Sequence, residues 1–323
     1  MLKRLSRKLI KPYADQWVRD AGLTRWGSRN LMTWAKRYNR WIYSKQRQLH
    51  DSAYQNERDQ LLHENGGNPG SQRITIRDGW ALDTSLSLPH LEELLRDTNE
   101  IVAERGGKTH SAVQQPFLRS VLFPGDVEKY PSFLNFITSS EVLAVAMDYL
   151  KTIPVLSMTR PPGVRFMESN ADLDPGADGP FRESQLYHLD IHDTPLIYIL
   201  VAVQDITPSS GPWTFLPDSV STRATKELRY REKGVSYRVT DEMMYGAIDP
   251  SEAISFACPK GSVLFIDSSR CFHYGSRNSR PPRYQVMYGL TSVCRADFSQ
   301  TFMKTTRYPV PENASRLRRL VCQ

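Results

Sequence analysis

The apolar positions of this chain follow two different periods, and the change between them falls near its middle. Up to residue 64 the pattern is helical. Leu31, Trp34, Tyr38, Trp41, Ile42 and Tyr43 recur at spacings of three, four and seven, with Lys and Arg on the remaining faces. Asn65-Gly66-Gly67-Asn68-Pro69-Gly70 is the strongest breaker in the sequence. It predicts a boundary between a helical leader, residues 1–64, and a folded body, residues 65–323. The body opens with an alternating strand and turn over 74–79. Leu88-Pro89-His90 leads into a helix over 91–104, stopped by Arg105-Gly106-Gly107. Ser139 or Ser140 caps a second helix over 141–150, with Val142, Ala146 and Leu150 on one side.

Beyond Pro154 the period drops towards two. Segments 155–159, 163–167, 187–192, 196–205, 213–216, 253–256, 262–267 and 283–293 are short and bounded by Pro, Gly, Ser or Asp. Many short strands with turn punctuation predict a sandwich, barrel or jelly roll. The expected fold is therefore mainly β with flanking helices.

Composition narrows the class. Of 323 residues, 40% are hydrophobic and 24% charged, which is a globular balance. The longest apolar run, 196–203, is far below the ~18 residues a spanning helix needs. The four cysteines, Cys258, Cys271, Cys294 and Cys322, form no CxxC pair, which excludes a zinc ribbon or a thioredoxin motif. The first residues lack the apolar core and cleavage site of a secretory signal. A cytoplasmic protein with reduced thiols is expected. The net charge of +7 is unevenly placed: residues 1–50 hold 13 Lys/Arg against Asp15 and Asp20, while the rest holds 29 bases against 33 acids. A slightly acidic body carries a basic leader, which also holds Trp17, Trp26, Trp34 and Trp41.

The candidate chemistry centres on Tyr187-His188-Leu189-Asp190. Residues two apart on a strand share a face, so His188 and Asp190 can offer an imidazole and a carboxylate to one metal. A later histidine, His273, follows the apolar strand 262–267. Two histidines and one carboxylate on one face of an octahedron leave three positions open, the arrangement of non-haem Fe(II) oxygenases. Arg283 comes ten residues after His273 and alternates with Tyr284, Val286 and Tyr288. If its face points inward, its guanidinium needs an anion there. The distal carboxylate of a dicarboxylic keto acid would meet it with two parallel hydrogen bonds.

These residues, with Ser210-Gly211-Pro212-Trp213-Thr214-Phe215-Leu216-Pro217-Asp218-Ser219 and His273-Tyr274-Gly275-Ser276-Arg277-Asn278, resemble the phytanoyl-CoA dioxygenase family over about residues 74–300. The order of the motifs, the spacing of 83 residues from Asp190 to His273 and the downstream Arg283 all fit. The resemblance implies a double-stranded β-helix (jelly-roll, cupin-like) core and an Fe(II)- and 2-oxoglutarate-dependent dioxygenase that uses O2. Such an enzyme hydroxylates an unactivated carbon while 2-oxoglutarate becomes succinate. His188, Asp190 and His273 would then ligate iron. Arg283 would hold the distal carboxylate of 2-oxoglutarate, with Tyr198 and Ser276 adding hydrogen bonds. Retention of the carboxylate argues against halogenation. The chain departs from the family at Ser210, where an Asn is usual, and at Pro217-Asp218-Ser219-Val220, where Pro-Gly-Ser-His is usual; this second segment is expected to line the entrance.

Arg160 and Arg165, flanking Pro161-Pro162-Gly163, are the residues best placed to meet an anionic substrate. Segment 168–184 reads as a surface insertion or a lid, and His50, His63, His90 and His110 as exposed. The leader has three readings: its aromatics pack it against the β core; residues 1–47 lie on an anionic membrane, which would make the substrate lipid-linked rather than a soluble small molecule; or it is a mitochondrial-type presequence. Two rival functions remain to be weighed, a binding protein with a vestigial site and a nucleic-acid-binding protein using the basic leader. No RNA-binding motif accompanies the latter.

Overall fold

The computed structural model describes residues 28–64, 73–108, 113–159, 163–302, 305 and 307–322. The breaker at 65–70, Trp17, Trp26, His110 and Arg160 lie outside the described residues. Two helices come first, α1 (Ser28–Ile42) and α2 (Ser44–Glu64). They are followed by β1 (Trp80–Asp83), α3 (Leu91–Arg105), β2 (Val113–Gln115), β3 (Leu118–Ser120), α4 (Ser132–Ile137) and α5 (Ser140–Leu150). The β-rich half then runs β4 (Val155–Leu156), β5 (Val164–Ser169), β6 (Ile197–Ala202), β7 (Thr214–Phe215), α6 (Asp218–Glu227), β8 (Ile254–Ser255), β9 (Val263–Asp267), β10 (His273–Tyr274) and β11 (Arg283–Thr291).

The strands form two antiparallel sheets. The larger has the order β1-β9-β6-β11-β5-β3-β2, with β4 also paired to β11. The smaller is β10-β7-β8, and it is widened by single bridges from Tyr187 to Val239 and from His188 to His273. This is a jelly-roll core with helices on its outer side.

Alternation decides which face each strand turns outward. On β6, β9 and β11 the residues Ile197, Ile199, Val201, Val263, Phe265, Tyr284, Val286, Tyr288 and Leu290 join one apolar cluster with α3, α4 and α5. That cluster contains Phe133, Phe136 and Phe166, all fully buried. Each such ring contributes roughly 1.5–3 kcal/mol by leaving water. The alternate residues, Tyr198, Leu200, Ala202, Leu264 and Ile266, face the other way and meet Trp213 and Phe215 of the small sheet. The large sheet thus has a dry outer face and an inner face that includes Arg165, Arg283 and Gln285.

The structure corrects three expectations. The first strand of the body is Trp80–Asp83, not 74–79, because β1 finds its ladder on β9, from Trp80↔Ile266 to Asp83↔Val263. Of 187–192, only Tyr187 and His188 pair; the chain then leaves the sheet. His50 is buried, with Nδ1 2.9 Å from the Ile153 carbonyl, and burial lowers its pKa; His63 and His90 are exposed as expected.

The front helices pack by a face that their apolar stripe does not announce. On α1 the buried residues are Met32, Ala35 and Asn39, whereas Trp34 and Trp41 are each 74% exposed. Asn39 Nδ2 donates to the carbonyls of Arg295 (2.8 Å) and Asp297 (2.7 Å), and Lys36 Nζ donates to Thr194 O (2.5 Å). α2 lies along α5, with Tyr54 OH donating to Met147 O. The expectation that the tryptophans pack the leader onto the β core is not met by Trp34 and Trp41: α1 docks through the hydrogen bonds of Lys36 and Asn39, the buried Met32 and Ala35, and Tyr38 edge-on to Phe298. Asn39→Ala should therefore lower stability by about 1–3 kcal/mol, the cost of leaving buried carbonyls unmet. Urea unfolding reads this, and faster amide exchange across α1 should accompany it; an unchanged helix would show that other contacts hold it.

Candidate metal centre

The site begins as a piece of antiparallel ladder. His188 N donates to His273 O (3.1 Å) and His273 N donates to His188 O (3.0 Å). Two residues that exchange both hydrogen bonds stand directly opposite each other, with side chains on one face. Their ring centroids are 4.3 Å apart. Asp190 is brought back to the same place by its own amide, which donates to Ser268 O (2.9 Å) just beyond β9.

Hydrogen bonding then fixes what each group presents. Nδ1 of His188 lies 2.8 Å from Leu186 O, and Nδ1 of His273 lies 2.9 Å from Cys271 O. A carbonyl only accepts, so each Nδ1 carries the proton and each Nε2 turns a lone pair to the interior. His273 Nε2 stands 3.7 Å from Asp190 Oδ2, a buried oxygen with no hydrogen-bond partner among the described residues. One donor atom from each of His188, Asp190 and His273 lies within 4.8 Å of the others. Burial lowers the pKa of both histidines; at His188 the nearby Arg238 adds to the effect, while at His273 Asp190 opposes it. Two neutral imidazoles and a carboxylate oxygen without a proton donor fit a divalent cation, and backbone acceptors on the far nitrogens are the usual outer support of such ligands. The indole of Trp213 stacks on His273 at 4.2 Å and 25°. A Cβ on Gly275 would come within 2.5 Å of that indole, which explains the glycine.

The three ligands open into a cavity of about 180 Å³. Arg283 lies in its wall, 3% exposed. Its Nη1 donates to Gly211 O (2.6 Å) and its Nη2 to Ser276 Oγ (3.1 Å), while Nε has no partner. Gly211 has φ +64°, and a Cβ there would collide with the Arg277 carbonyl, so only glycine presents its own carbonyl in this way. Burial pulls the Arg283 guanidinium down to about 10, so it remains a cation at neutral pH. Among the described residues no carboxylate pairs with it. A buried cation of this kind calls for an anion in the cavity.

Of the other candidates, Ser276 is brought to Arg283, and Arg165 lines the cavity. Tyr198 lines it too, but its hydroxyl lies beside Asp190 and Arg165; burial, reinforced by Asp190, pushes the phenol well up, so it stays a donor. Pro217-Asp218-Ser219-Val220 does not line the cavity: it starts α6, with Ser219 N donating to Asp78 Oδ1. Segment 168–184 is tied down by Arg182, which bonds Asp174 (2.5 Å) and Gly176 O (2.9 Å); only its last residue, Ser184, reaches the cavity. Cys271 is a core thiol that burial pushes well up.

Sequence reasoning passed over three cavity residues. Gln285 was readable as the next inward position after Arg283. His192 stands next to Asp193 in sequence, but its partner is Asp297, 2.8 Å from Nδ1. Burial works against that carboxylate, but Arg295 (2.9 and 3.0 Å) and His192 outweigh it and hold it at about 2. Arg238 had no local signal at all, because Val239 reaches the site through its bridge to Tyr187.

No family profile matches the chain, and no curated protein sequence does. Among solved structures, the chain is similar to EctD from S. alaskensis with bound Fe, at 14% identity and TM-score 0.42 over 67% of this chain and 73% of that one. It is similar to the non-heme alpha ketoglutarate dependent carbocyclase SnoK from nogalamycin biosynthesis at 13% identity and TM-score 0.45, over 71% and 85%. The epimerase SnoN in complex with Fe3+, alpha ketoglutarate and nogalamycin RO gives 13% and 0.44, over 73% and 93%.

Asp190→Ala should leave the fold intact and weaken Mn(II) binding by more than the roughly 10–100-fold that loss of an outer support costs a metal site. Calorimetry against metal checks this, with circular dichroism as the folding control. Equal affinity in both proteins would remove Asp190 from the ligand set.

Proposed function

We propose that the chain is an Fe(II)- and 2-oxoglutarate-dependent dioxygenase that hydroxylates an unactivated carbon of a small-molecule or lipid-linked substrate. One observation carries the reading: donor atoms of His188, Asp190 and His273 lie within 4.8 Å of one another in the lining of a cavity, and a buried guanidinium with no carboxylate partner among the described residues lines the same cavity. His188, Asp190 and His273 would hold the iron, and three donors on one side leave the other side open. Bound there, iron would supply the oxidation: one atom of O2 enters the substrate C–H bond, the other ends in succinate, and CO2 leaves 2-oxoglutarate.

The chain's own residues do the positioning. Arg283 and Ser276 receive the distal carboxylate of 2-oxoglutarate through charge-assisted hydrogen bonds, with Gly211 O fixing the guanidinium plane. Tyr198, protonated throughout the working pH range, donates towards Asp190 and so orients the carboxylate ligand. The stacked Trp213 holds His273 in its rotamer and covers one side of the site. Anaerobic titration with Fe(II) and 2-oxoglutarate, followed by a succinate-release screen over metabolite pools, tests the reading. A protein that binds neither is a binding protein with a vestigial site.

Arg283→Lys keeps the charge and loses the planar fork. It should raise the 2-oxoglutarate concentration needed for half-maximal binding by ~10-fold or more, the worth of a charge-assisted hydrogen bond, and leave Mn(II) affinity nearly unchanged. The same 2-oxoglutarate dependence in both proteins would place the anchor elsewhere.

A second element concerns where the substrate comes from. We infer that α1 rests on an anionic membrane surface. Its outward face shows Trp34, Tyr38, Trp41 and Ile42 beside the exposed Arg37, Arg40 and Lys45, while its inward face is bonded to Thr194, close after the metal-ligand segment. Tryptophan favours the headgroup region, and each basic residue near an anionic leaflet contributes about 1 kcal/mol. No helix among the described residues is long and apolar enough to cross a membrane, so the contact would be peripheral. Full-length protein should pellet with phosphatidylserine-containing vesicles at low salt and be released as salt rises. Trp34→Ser with Trp41→Ser should abolish pelleting; equal partitioning of both proteins would leave a soluble substrate.

A further inference from the structure

The cavity carries more positive charge than the proposed co-substrate can answer. Its lining holds three arginines, Arg165, Arg238 and Arg283, against a single carboxylate, Asp190. On the reading above, a divalent metal, Asp190, the doubly negative 2-oxoglutarate and Arg283 sum to zero. Arg165 and Arg238 are left over.

Among the described residues Arg165 pairs with no carboxylate, and Arg238 reaches one, Glu183, only at the limit of an ion pair. Arg165 lies on β5, paired with Met287 of β11, and its Nη2 bonds the Met287 thioether. Its guanidinium lies over the Tyr198 ring at 5.2 Å, and its Nε is buried without a partner. Arg238 reaches the same cavity from a different part of the chain. Tyr187 and Val239 exchange both backbone hydrogen bonds (3.0 and 2.9 Å), and Tyr237 OH donates to Leu189 O (2.7 Å). The stretch 237–239 is thereby stitched to the strand that carries His188. Arg238 lies over the Tyr237 ring at 5.0 Å, and its Nη1 is buried without a partner. The nearest acid, Glu183, is half exposed and 4.0 Å away, at the limit of an ion pair. Both arginines line the same cavity as His188, Asp190 and His273.

A planar donor fork in the cavity lining, lying on an aromatic face and holding a buried N–H without a partner among the described residues, is built for an oxyanion. A structural arginine satisfies its fork on fixed protein acceptors, as Arg295 does on the Ser157 and Thr159 hydroxyls and the Asp297 carboxylate. We propose that the substrate carries an oxyanionic group, a carboxylate or a phosphate or sulfate ester, seated between Arg165 and Arg238. This holds the carbon to be oxidised beside His188, Asp190 and His273. The proposal names the substrate class for the oxygenase reading and rests on it for the role of the site, though the anion site itself is testable without it.

The test is calorimetric titration of sulfate and, separately, acetate into protein loaded with Mn(II) and 2-oxoglutarate under anaerobic conditions, repeated on metal-free protein. Wild type should take up one anion, and Arg165→Gln and Arg238→Gln should each weaken it by about tenfold or more, the worth of one charge-assisted hydrogen bond. Arg238→Lys should keep most of the affinity, and Mn(II) and 2-oxoglutarate should still bind each variant, which shows that it is folded. Tighter sulfate than acetate identifies a phosphate or sulfate ester; the reverse identifies a carboxylate. The proposal is overturned if anion uptake is equal in wild type and both Gln variants, or if it vanishes only in Arg283→Gln, which would place the anion at the co-substrate anchor. Failure of Mn(II) and 2-oxoglutarate to bind wild type would sink the oxygenase reading alone, since the metal-free titration still reports on the two arginines.

Discussion

The two-way backbone pairing of His188 with His273 is the constraint on which the site depends. It joins the segment before β6 to the segment after β9, and it sets both imidazoles on one face before any side chain has chosen a rotamer. Everything else follows from that bridge. The Nδ1 acceptors, Leu186 O and Cys271 O, each lie two residues back along the same two strands, so the ladder that positions the rings also fixes their tautomer. Asp190 can then be recruited from outside the ladder by one further backbone bond to Ser268.

Such a site is expensive to maintain. Asp190 Oδ2, Arg283 Nε, Gln285 Nε2, Arg165 Nε and Arg238 Nη1 are all buried without partners. Each unmet buried group costs about 1–3 kcal/mol, and more where it is charged. The division of labour between the two faces of the large sheet makes this tolerable. The outer face, from Phe166 through Val201, Phe265 and Val286, merges with Phe133, Phe136 and Met147 of the helices into one continuous apolar cluster. The strands are therefore held from outside, and the inner face is free to carry groups that destabilise the fold but suit a ligand.

This division also explains what the sequence made legible. Most strands after Pro154 could be placed from their punctuation, 187–192 being the exception, and the alternation on β11 separated Arg283, Gln285 and Met287 from Tyr284, Val286 and Tyr288 without saying which set turns in. His188, Asp190 and His273 were readable because the first two obey the period of a strand and the third follows one. Arg238 and Asp297 were not, because only tertiary pairing, of Val239 with Tyr187 and of Asp297 with His192, brings them to the site. β1 was misplaced for the same reason: its ladder on β9 is not written in residues 74–83.

The front helices show the limit of periodicity most clearly. An aromatic stripe at helical spacing identifies a face but not what it faces. On α1 Trp34 and Trp41 point to solvent, Tyr38 meets Phe298 edge-on, and the polar Asn39 is wholly buried. The reason lies in the surface that receives the helix. The chain beyond the metal-ligand segment and beyond β11 offers backbone carbonyls, at Thr194, Arg295 and Asp297, where an apolar ring would have left them unmet. An amide and an ammonium satisfy them instead. Burial on α1 is thus decided by the hydrogen-bonding needs of its neighbour, and the tryptophans are left outward because nothing on that neighbour would gain by covering them. The same carbonyl-rich loop carries Asp297, which holds His192 at the cavity wall, so the docking of α1 and the shape of the cavity rest on one segment of backbone.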